Sequence, residues 1–186
     1  MISKGIKYFK SIIRIGLLKI KYGKKLNIEF NIKDFKSLYI GKNVNIIIRK
    51  DSQLNLGKRV YISDYCKLEC DNGEITIGNN TFLNESCKIV SLNKIEIGKG
   101  CLFGENVSIY DHDHKYHEEE IEIRNQGFSI GEIIIKDNVW IGTNVVITKG
   151  VEINQRVVVG ANSVVRGKLS SNSLYAGIPS RKIKDI

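Results

Sequence analysis

The chain is expected to fold as an all-β parallel β-helix, a triangular prism of short stacked strands, and three observations carry that expectation. Aliphatic residues recur at steps of six, as in Ile135, Ile141, Ile147, Ile153, Val159 and Val165. The steps group in threes, so one coil takes about 18 residues; Leu56, Ile62, Leu68 is followed by Ile77, Leu83, Ile89 and then by Ile97, Phe103, Ile109. The positions between the aliphatics also follow a rule. The fifth of each six is small or β-branched (Val60, Cys66, Thr81, Cys87, Cys101, Val107, Val139, Val145, Val151, Val157, Ser163), which suits a cramped interior. The fourth is Asn or Gly at Asn43, Asn80, Gly100, Asn106, Asn138, Asn144, Gly150 and Asn162. These residue types best tolerate a left-handed backbone, so each marks a corner. A strict period of six fits neither the 3.6-residue period of a helix nor a plain alternating strand.

Composition sets the outer bounds. In 186 residues, 42% are hydrophobic and 26% charged, enough for one packed domain of 26–186 behind a short N-terminal segment, 1–25. The net charge is +9, but residues 1–50 hold 13 Lys and Arg against 2 Asp and Glu, a balance of +11, and the rest sums to −2. The excess belongs to one end, which argues against nucleic acid as a partner, since that would need a basic stripe through the folded body. No apolar run reaches transmembrane length, and the basic start lacks the uninterrupted centre of a secretory signal. The four cysteines (Cys66, Cys70, Cys87, Cys101) form no CxxC pair and read as reduced thiols of a cytoplasmic protein.

At the N-terminus Ile2, Ile6, Phe9, Ile13, Leu17 and Ile20 recur at helical spacing, while Lys4, Lys7, Lys10, Arg14 and Lys21 fill much of the remaining surface. The segment reads as a basic amphipathic helix with two candidate roles, a cap over the open first coil or an anchor at a membrane surface. Ile-Gly or Leu-Gly pairs then punctuate the chain at Ile40-Gly41, Leu56-Gly57, Ile77-Gly78, Ile97-Gly98, Ile130-Gly131 and Ile141-Gly142, followed by Val159-Gly160. Coils lengthen after the third hexad of a turn. Leu56 to Ile77 is 21 residues, Ile77 to Ile97 is 20, and a third excursion occupies about 115–134 before Ile135 resumes the prism. All three insertions fall at one corner, and the longest is an extruded loop. Long excursions from a rigid scaffold concentrate function.

All three histidines lie where that loop departs, in Tyr110-Asp-His-Asp-His-Lys-Tyr-His117. His112 stands at a fourth position, where Asn or Gly is expected, and a residue that breaks the local rule is a functional candidate.

Repeats such as Ile135-Lys-Asp-Asn-Val-Trp140, Ile141-Gly-Thr-Asn-Val-Val146 and Val159-Gly-Ala-Asn-Ser-Val164 resemble the left-handed β-helix of hexapeptide-repeat acyltransferases, over about residues 40–186. Among these the chain is most similar to galactoside and maltose acetyltransferases and to capsular or lipopolysaccharide sugar O-acetyltransferases. The resemblance supplies the handedness, which the pattern does not; parallel crossovers are in general right-handed. It also implies a homotrimer, acetyl-CoA as acyl donor and a sugar or oligosaccharide as acceptor. His112 is implied as general base, with His114 as second choice and His117 as a loop residue. Thr143 is implied as the backbone donor to the oxyanion. Thr143, Ala161, Val165 and Arg166 lie where relatives contact CoA, and Arg181 and Lys184 in the tail Ala176-Gly-Ile-Pro-Ser-Arg181 are placed to meet its phosphates. Asn84 in Phe82-Leu83-Asn84 matches an acceptor contact; the acidic contacts of relatives are replaced by Ser91-Leu92, which points to a different acceptor. Trp140 is expected at a subunit contact. Two alternatives stay open, an N-acetyltransferase of a nucleotide-linked amino sugar and a zinc hydratase of the same fold using His112, His114 and His117. No metal is expected, because relatives that bind zinc take one histidine from an earlier coil and none stands before His112.

Overall fold

A computed structural model describes residues 2–29, 37–49 and 51–186. Three parallel sheets wrap around one core. The first face stacks Leu26–Ile28, Gln53–Leu56, Glu74–Ile77, Lys94–Ile97, Ile133–Ile135, Glu152–Ile153 and Lys168–Leu169. The second stacks Leu38–Ile40, Val60–Ile62, Phe82–Leu83, Leu102–Phe103, Trp140–Ile141, Val157–Val159 and Ser173–Gly177, and closes with antiparallel Ser180–Asp185. The third stacks Asn45–Ile48, Lys67–Cys70, Lys88–Ser91, Ser108–Tyr110, Val146–Ile147 and Val164–Val165. The coil is left-handed, as the resemblance implied.

The hexad grammar is visible atom by atom. First-position aliphatics such as Ile62, Leu68, Leu83, Ile109, Ile141 and Ile147 are fully buried, and so are all eleven fifth-position residues named above. The fourth-position Asn and Gly residues all have φ between 53° and 74°. Where the sequence departs from Asn or Gly at such a corner the backbone is unchanged, with Arg59, Tyr65, Ser86 and Arg156 at φ 56° to 62°. The Gly of the Ile-Gly pair answers to stacking: a Cβ on Gly142 would lie 2.6 Å from the amide nitrogen of Ala161 in the next coil. Side-chain amides run up one edge, Asn106 donating to Asn144 at 2.9 Å and Asn144 to Asn162 at 3.0 Å.

The helix α1 (Ile2–Tyr22) and a 3-10 turn (Gly23–Lys25) precede the first strand. Helix α1 lies across the open end of the prism. Ser11 Oγ accepts the Ile40 amide at 2.8 Å, Arg14 donates to the Ile40 carbonyl at 3.0 Å, and Tyr22 donates to the Ile46 carbonyl at 2.6 Å. These bonds satisfy edge-strand groups that a bare first coil would leave open. Ile15 enters the core cluster, with Leu18 and Tyr22 packed against it. The capping face is therefore Ser11, Ile15, Leu18 and Tyr22, and not the apolar series read from the sequence. Of that series Ile6, Phe9, Ile13, Leu17 and Ile20 are exposed, and the side chains of Ile2 and Lys4 lie outside the described residues.

The extra residues do stack on one corner, between the third face and the first, at 71–73, 92–93 and the long excursion. The excursion differs in its bounds from 115–134. It leaves at His112, because His112–His114 pairs antiparallel with Phe128–Ile130, and the prism resumes at Ile133, which registers with Ile95. Ile130-Gly131 is consequently part of this hairpin and not a repeat unit; Ile130 is exposed.

Candidate active site

Tyr110 ends a strand of the third face, and the chain would turn there as it does in other coils. Asp111 marks the point where the chain leaves instead. Its side chain is fully buried, and its carboxylate accepts hydrogen bonds from Ser91 Oγ at 2.7 Å, from the Leu92 amide at 2.8 Å and from the Asn93 amide at 2.9 Å. A buried carboxylate needs such donors to offset its lost hydration. Its backbone carbonyl also accepts the Gly131 amide at 2.8 Å, which closes the base of the hairpin. His112 follows in extended conformation and is absent from the residues with positive φ, unlike the usual fourth-position residue.

Nδ1 of His112 lies 3.1 Å from Oδ1 of Asp111. With the carboxylate ionised, Nδ1 carries the proton and donates it, which leaves Nε2 as the acceptor. The side chain is 16% exposed, enough for a small reactant to reach the ring edge. Phe128 packs edge-on against His112 with centroids 5.4 Å apart, and tilted against His114 at 4.5 Å. Lys149 ties the hairpin to the next coil by donating to Ser129 Oγ at 2.7 Å, with Asp113 3.8 Å away. A cleft of about 230 Å3 opens between the outer hairpin and Lys149, lined by Asp113, His114, His117 and Ser129.

The other candidates fall into separate places. Thr143 and Ala161 share the corner between the second and third faces, stacked one coil apart, and Asn84 lies on the same edge two coils before Thr143. The Thr143 amide has no hydrogen-bond partner among the described residues. Asn84 Oδ1 accepts the Glu85 amide at 2.9 Å. His112 belongs to a different corner, so one chain keeps it a full face width from Thr143 and Asn84. The Val165 side chain is fully buried in the prism, so only its backbone faces outward, while Arg166 beside it is exposed. Arg181 and Lys184 are exposed on the terminal hairpin of the second face, registered with Ala176 and Leu174.

His117 packs tilted against Tyr116 with centroids 4.3 Å apart, away from the pair on Phe128. Among the described residues no group of three His, Cys, Asp or Glu side chains converges as a metal site would. The four cysteines are buried free thiols. Burial pushes the Cys70 thiol up to about 12 and that of Cys101 upward, and Cys66 is held protonated by its contact with Cys87 and by burial. Two residues with no role in the sequence pattern, Asp111 and Lys149, contact His112 and the hairpin respectively. The Asp-His adjacency was the available signal for the first; nothing local marked the second.

Residues 132–167 match the family described as bacterial transferase hexapeptide (six repeats). The putative lipopolysaccharide biosynthesis O-acetyl transferase WbbJ of Escherichia coli is 32% identical over 145 residues, covering 74% of each chain. A maltose O-acetyltransferase from Clostridium difficile superposes with a TM-score of 0.58 at 30% identity, covering 96% of this chain and 88% of that one. AntD, an N-acyltransferase from Bacillus cereus solved with coenzyme A, gives 0.74 at 24% identity over 92% and 88%, a likeness of fold. The six-residue coils and these relatives together place the chain in the hexapeptide-repeat acyltransferase family, as a CoA-dependent acetyl-transferring enzyme.

Proposed function

We propose that the protein moves an acetyl group from acetyl-CoA to a hydroxyl of a sugar in a surface polysaccharide or its precursor. The observation that carries the reading is the His112–Asp111 pair at the root of the hairpin, with Nε2 left free. A sugar hydroxyl is a weak nucleophile at neutral pH, and an imidazole nitrogen with a free lone pair is suited to take its proton. As the hydroxyl oxygen bonds to the thioester carbonyl carbon, Nε2 accepts the proton and Asp111 stabilises the imidazolium. The tetrahedral oxyanion collapses, the carbon–sulfur bond breaks, and the CoA thiolate leaves with the proton returned from Nε2. Acetyl ester and CoA thiol are the products, and no covalent enzyme intermediate is needed.

The oxyanion requires a donor aimed at it. The unpaired Thr143 amide suits that role, but not beside the His112 of its own chain. We assign the role to Thr143 of the partner subunit in a homotrimer of parallel prisms. Support comes from the outward ladder of the second face, where Phe82, Leu102, Trp140 and Val158 are in register, with Leu102 and Trp140 about half exposed in one chain. The corresponding ladder of the first face is Asn55, Thr76, Glu96, Ile134 and Glu152, mostly polar. Ala161 and Arg166 then line the CoA groove, Arg181 and Lys184 meet phosphates, and Asn84 and the hairpin cleft with His114 face the acceptor. The reading places the enzyme in the cytoplasm, at the inner face of the membrane, where acyl-CoA and saccharide precursors meet; no described helix is long and apolar enough to cross a membrane.

The test is release of free CoA thiol with a panel of sugar and oligosaccharide acceptors, with product analysis for O-acetyl esters. Acetylation of an amine in preference to every hydroxyl would overturn the hydroxyl assignment.

A further inference from the structure

Helix α1 has two apolar faces, and only one of them is used by the fold. Ser11, Ile15, Leu18 and Tyr22 face the prism, while Ile6, Phe9, Ile13, Leu17 and Ile20 recur at steps of three and four on the other side. The series are offset by two residues (Phe9 with Ser11, Ile13 with Ile15, Ile20 with Tyr22), which on a helix is about 200°, nearly opposite. The outer five are between 49% and 84% exposed. Because the helix closes the end of the prism, this stripe looks outward along the axis, away from the body.

The surroundings of the stripe have one sign of charge. Residues 1–28 contain eight Lys and Arg and no Asp or Glu. Lys10 and Lys21 flank the stripe on one side, Lys19 on the other, and Lys24 and Lys25 follow at its end, all exposed. Beside the first half of the helix a cleft of about 320 Å3 gathers Lys7, Lys10, Arg14 and Lys42 around a single acid, Asp64. Asp64 is partly occupied, accepting the Lys42 amide at 2.9 Å.

We propose that the outer face of α1 docks the enzyme on a bilayer surface rich in anionic phospholipid, with the apolar stripe in the acyl boundary and a headgroup phosphate in the basic cleft. An apolar band flanked by Lys and Arg is the pattern of a helix lying in the interface plane. Like charges on both flanks oppose pairing with a second copy of the same face. The docking does not depend on the chemistry at His112. In a trimer of parallel prisms three such helices share one end, and their combined attachment exceeds that of one.

The experiment uses the full chain and flotation with vesicles of phosphatidylglycerol in phosphatidylcholine, or of phosphatidylcholine alone. Wild-type protein is expected to float with the anionic vesicles at low salt, at least tenfold more than with the neutral ones, and to be released as salt shortens the screening length. Phe9→Ser with Leu17→Ser, and separately Lys10→Glu with Lys21→Glu, are each expected to lower binding at least tenfold. Both pairs should leave the circular dichroism and the acetylation of a short soluble acceptor unchanged, so failure here is distinct from failure of the enzymatic reading. Absence of wild-type binding, or equal binding by the Phe9 and Leu17 variant, overturns the proposal. So does a wild-type assembly larger than that of the Phe9 and Leu17 variant, since it assigns the face to a second copy.

Discussion

Ser91 Oγ donates a 2.7 Å hydrogen bond to Oδ2 of Asp111, joining two neighbouring coils at the corner where the hairpin departs. The orientation of His112 thus depends on a residue 21 positions earlier in the chain. Asp111→Asn should preserve the shape while removing the preference for a proton on Nδ1. We expect kcat to fall by about 100- to 10,000-fold, in the range for loss of a base or its orienting carboxylate. KM for acetyl-CoA should move little. Ser91→Ala is expected to give a smaller loss, read as a kcat change without a KM change.

His112→Ala should abolish transfer, a loss on the order of 100- to 10,000-fold, while acetyl-CoA affinity and the thermal transition stay close to wild type. His114→Ala should retain most of the rate. If His114→Ala is the inactive variant, the base moves two residues along the hairpin.

Trp140→Glu places a charge in the outward ladder of the second face. Light scattering should show loss of the trimer, and activity should fall with it because Thr143 of the partner subunit is withdrawn. A fully active monomer would refute the shared site.

Ile15→Ala removes a side chain that the core cluster holds, and should cost roughly 2–3 kcal/mol in urea unfolding, near the low end for buried Ile. Ile13→Ala, on the outer face, should stay within about 0.5 kcal/mol. Deletion of residues 2–22 uncovers the edge groups at Ile40 and Ile46 and is expected to give aggregated protein. Equal effects at the two isoleucines would mean that the helix does not cap the coil.

Burial raises Cys70 to about 12 from an ordinary 9.0, so between those values the unfolded chain releases a proton that the folded chain retains. Stability from this group is complete below pH 9 and declines as pH rises toward 12. Alkaline unfolding should therefore be shallower in Cys70→Ala once its lower neutral-pH stability is subtracted. In the native protein at pH 8, a thiol reagent should leave all four cysteines unmodified until denaturant is added.

The prism was legible because its rules are local. A corner needs a left-handed residue and an interior needs alternating large and small side chains, so Asn144 and Val145 report their own positions. The site was half legible. His112 announced itself by breaking the corner rule, but the reason for the break lies in Asp111, whose partners Ser91, Leu92 and Asn93 come from another coil. The helix was half legible for a related reason. Its apolar series, Ile6 to Ile20, left a cap and a membrane-surface anchor equally open, and Ile15 with polar Ser11 and Tyr22, which do the capping, carried no comparable signal, since edge strands present hydrogen-bonding groups as well as apolar surface. Hexad phase turns the Val165 side chain inward and Arg166 outward.

The single-corner excursion also bears on how the chain reaches its native state. Neighbouring strands elsewhere are joined by short spans, Phe82 with Leu102 at 20 residues and Trp140 with Val158 at 18, whereas Leu102 and Trp140 are 38 apart. Closing that span costs about 0.6 kcal/mol more entropy than closing one half as long. Stacked repeats can nucleate anywhere and propagate to their neighbours. The cheapest route is two growing segments, one up to Tyr110 and one from Ile133 onward, that zip independently and then meet. On that route the hairpin carrying His112 is the seam between them, and the surroundings of its imidazole are completed when both halves have formed.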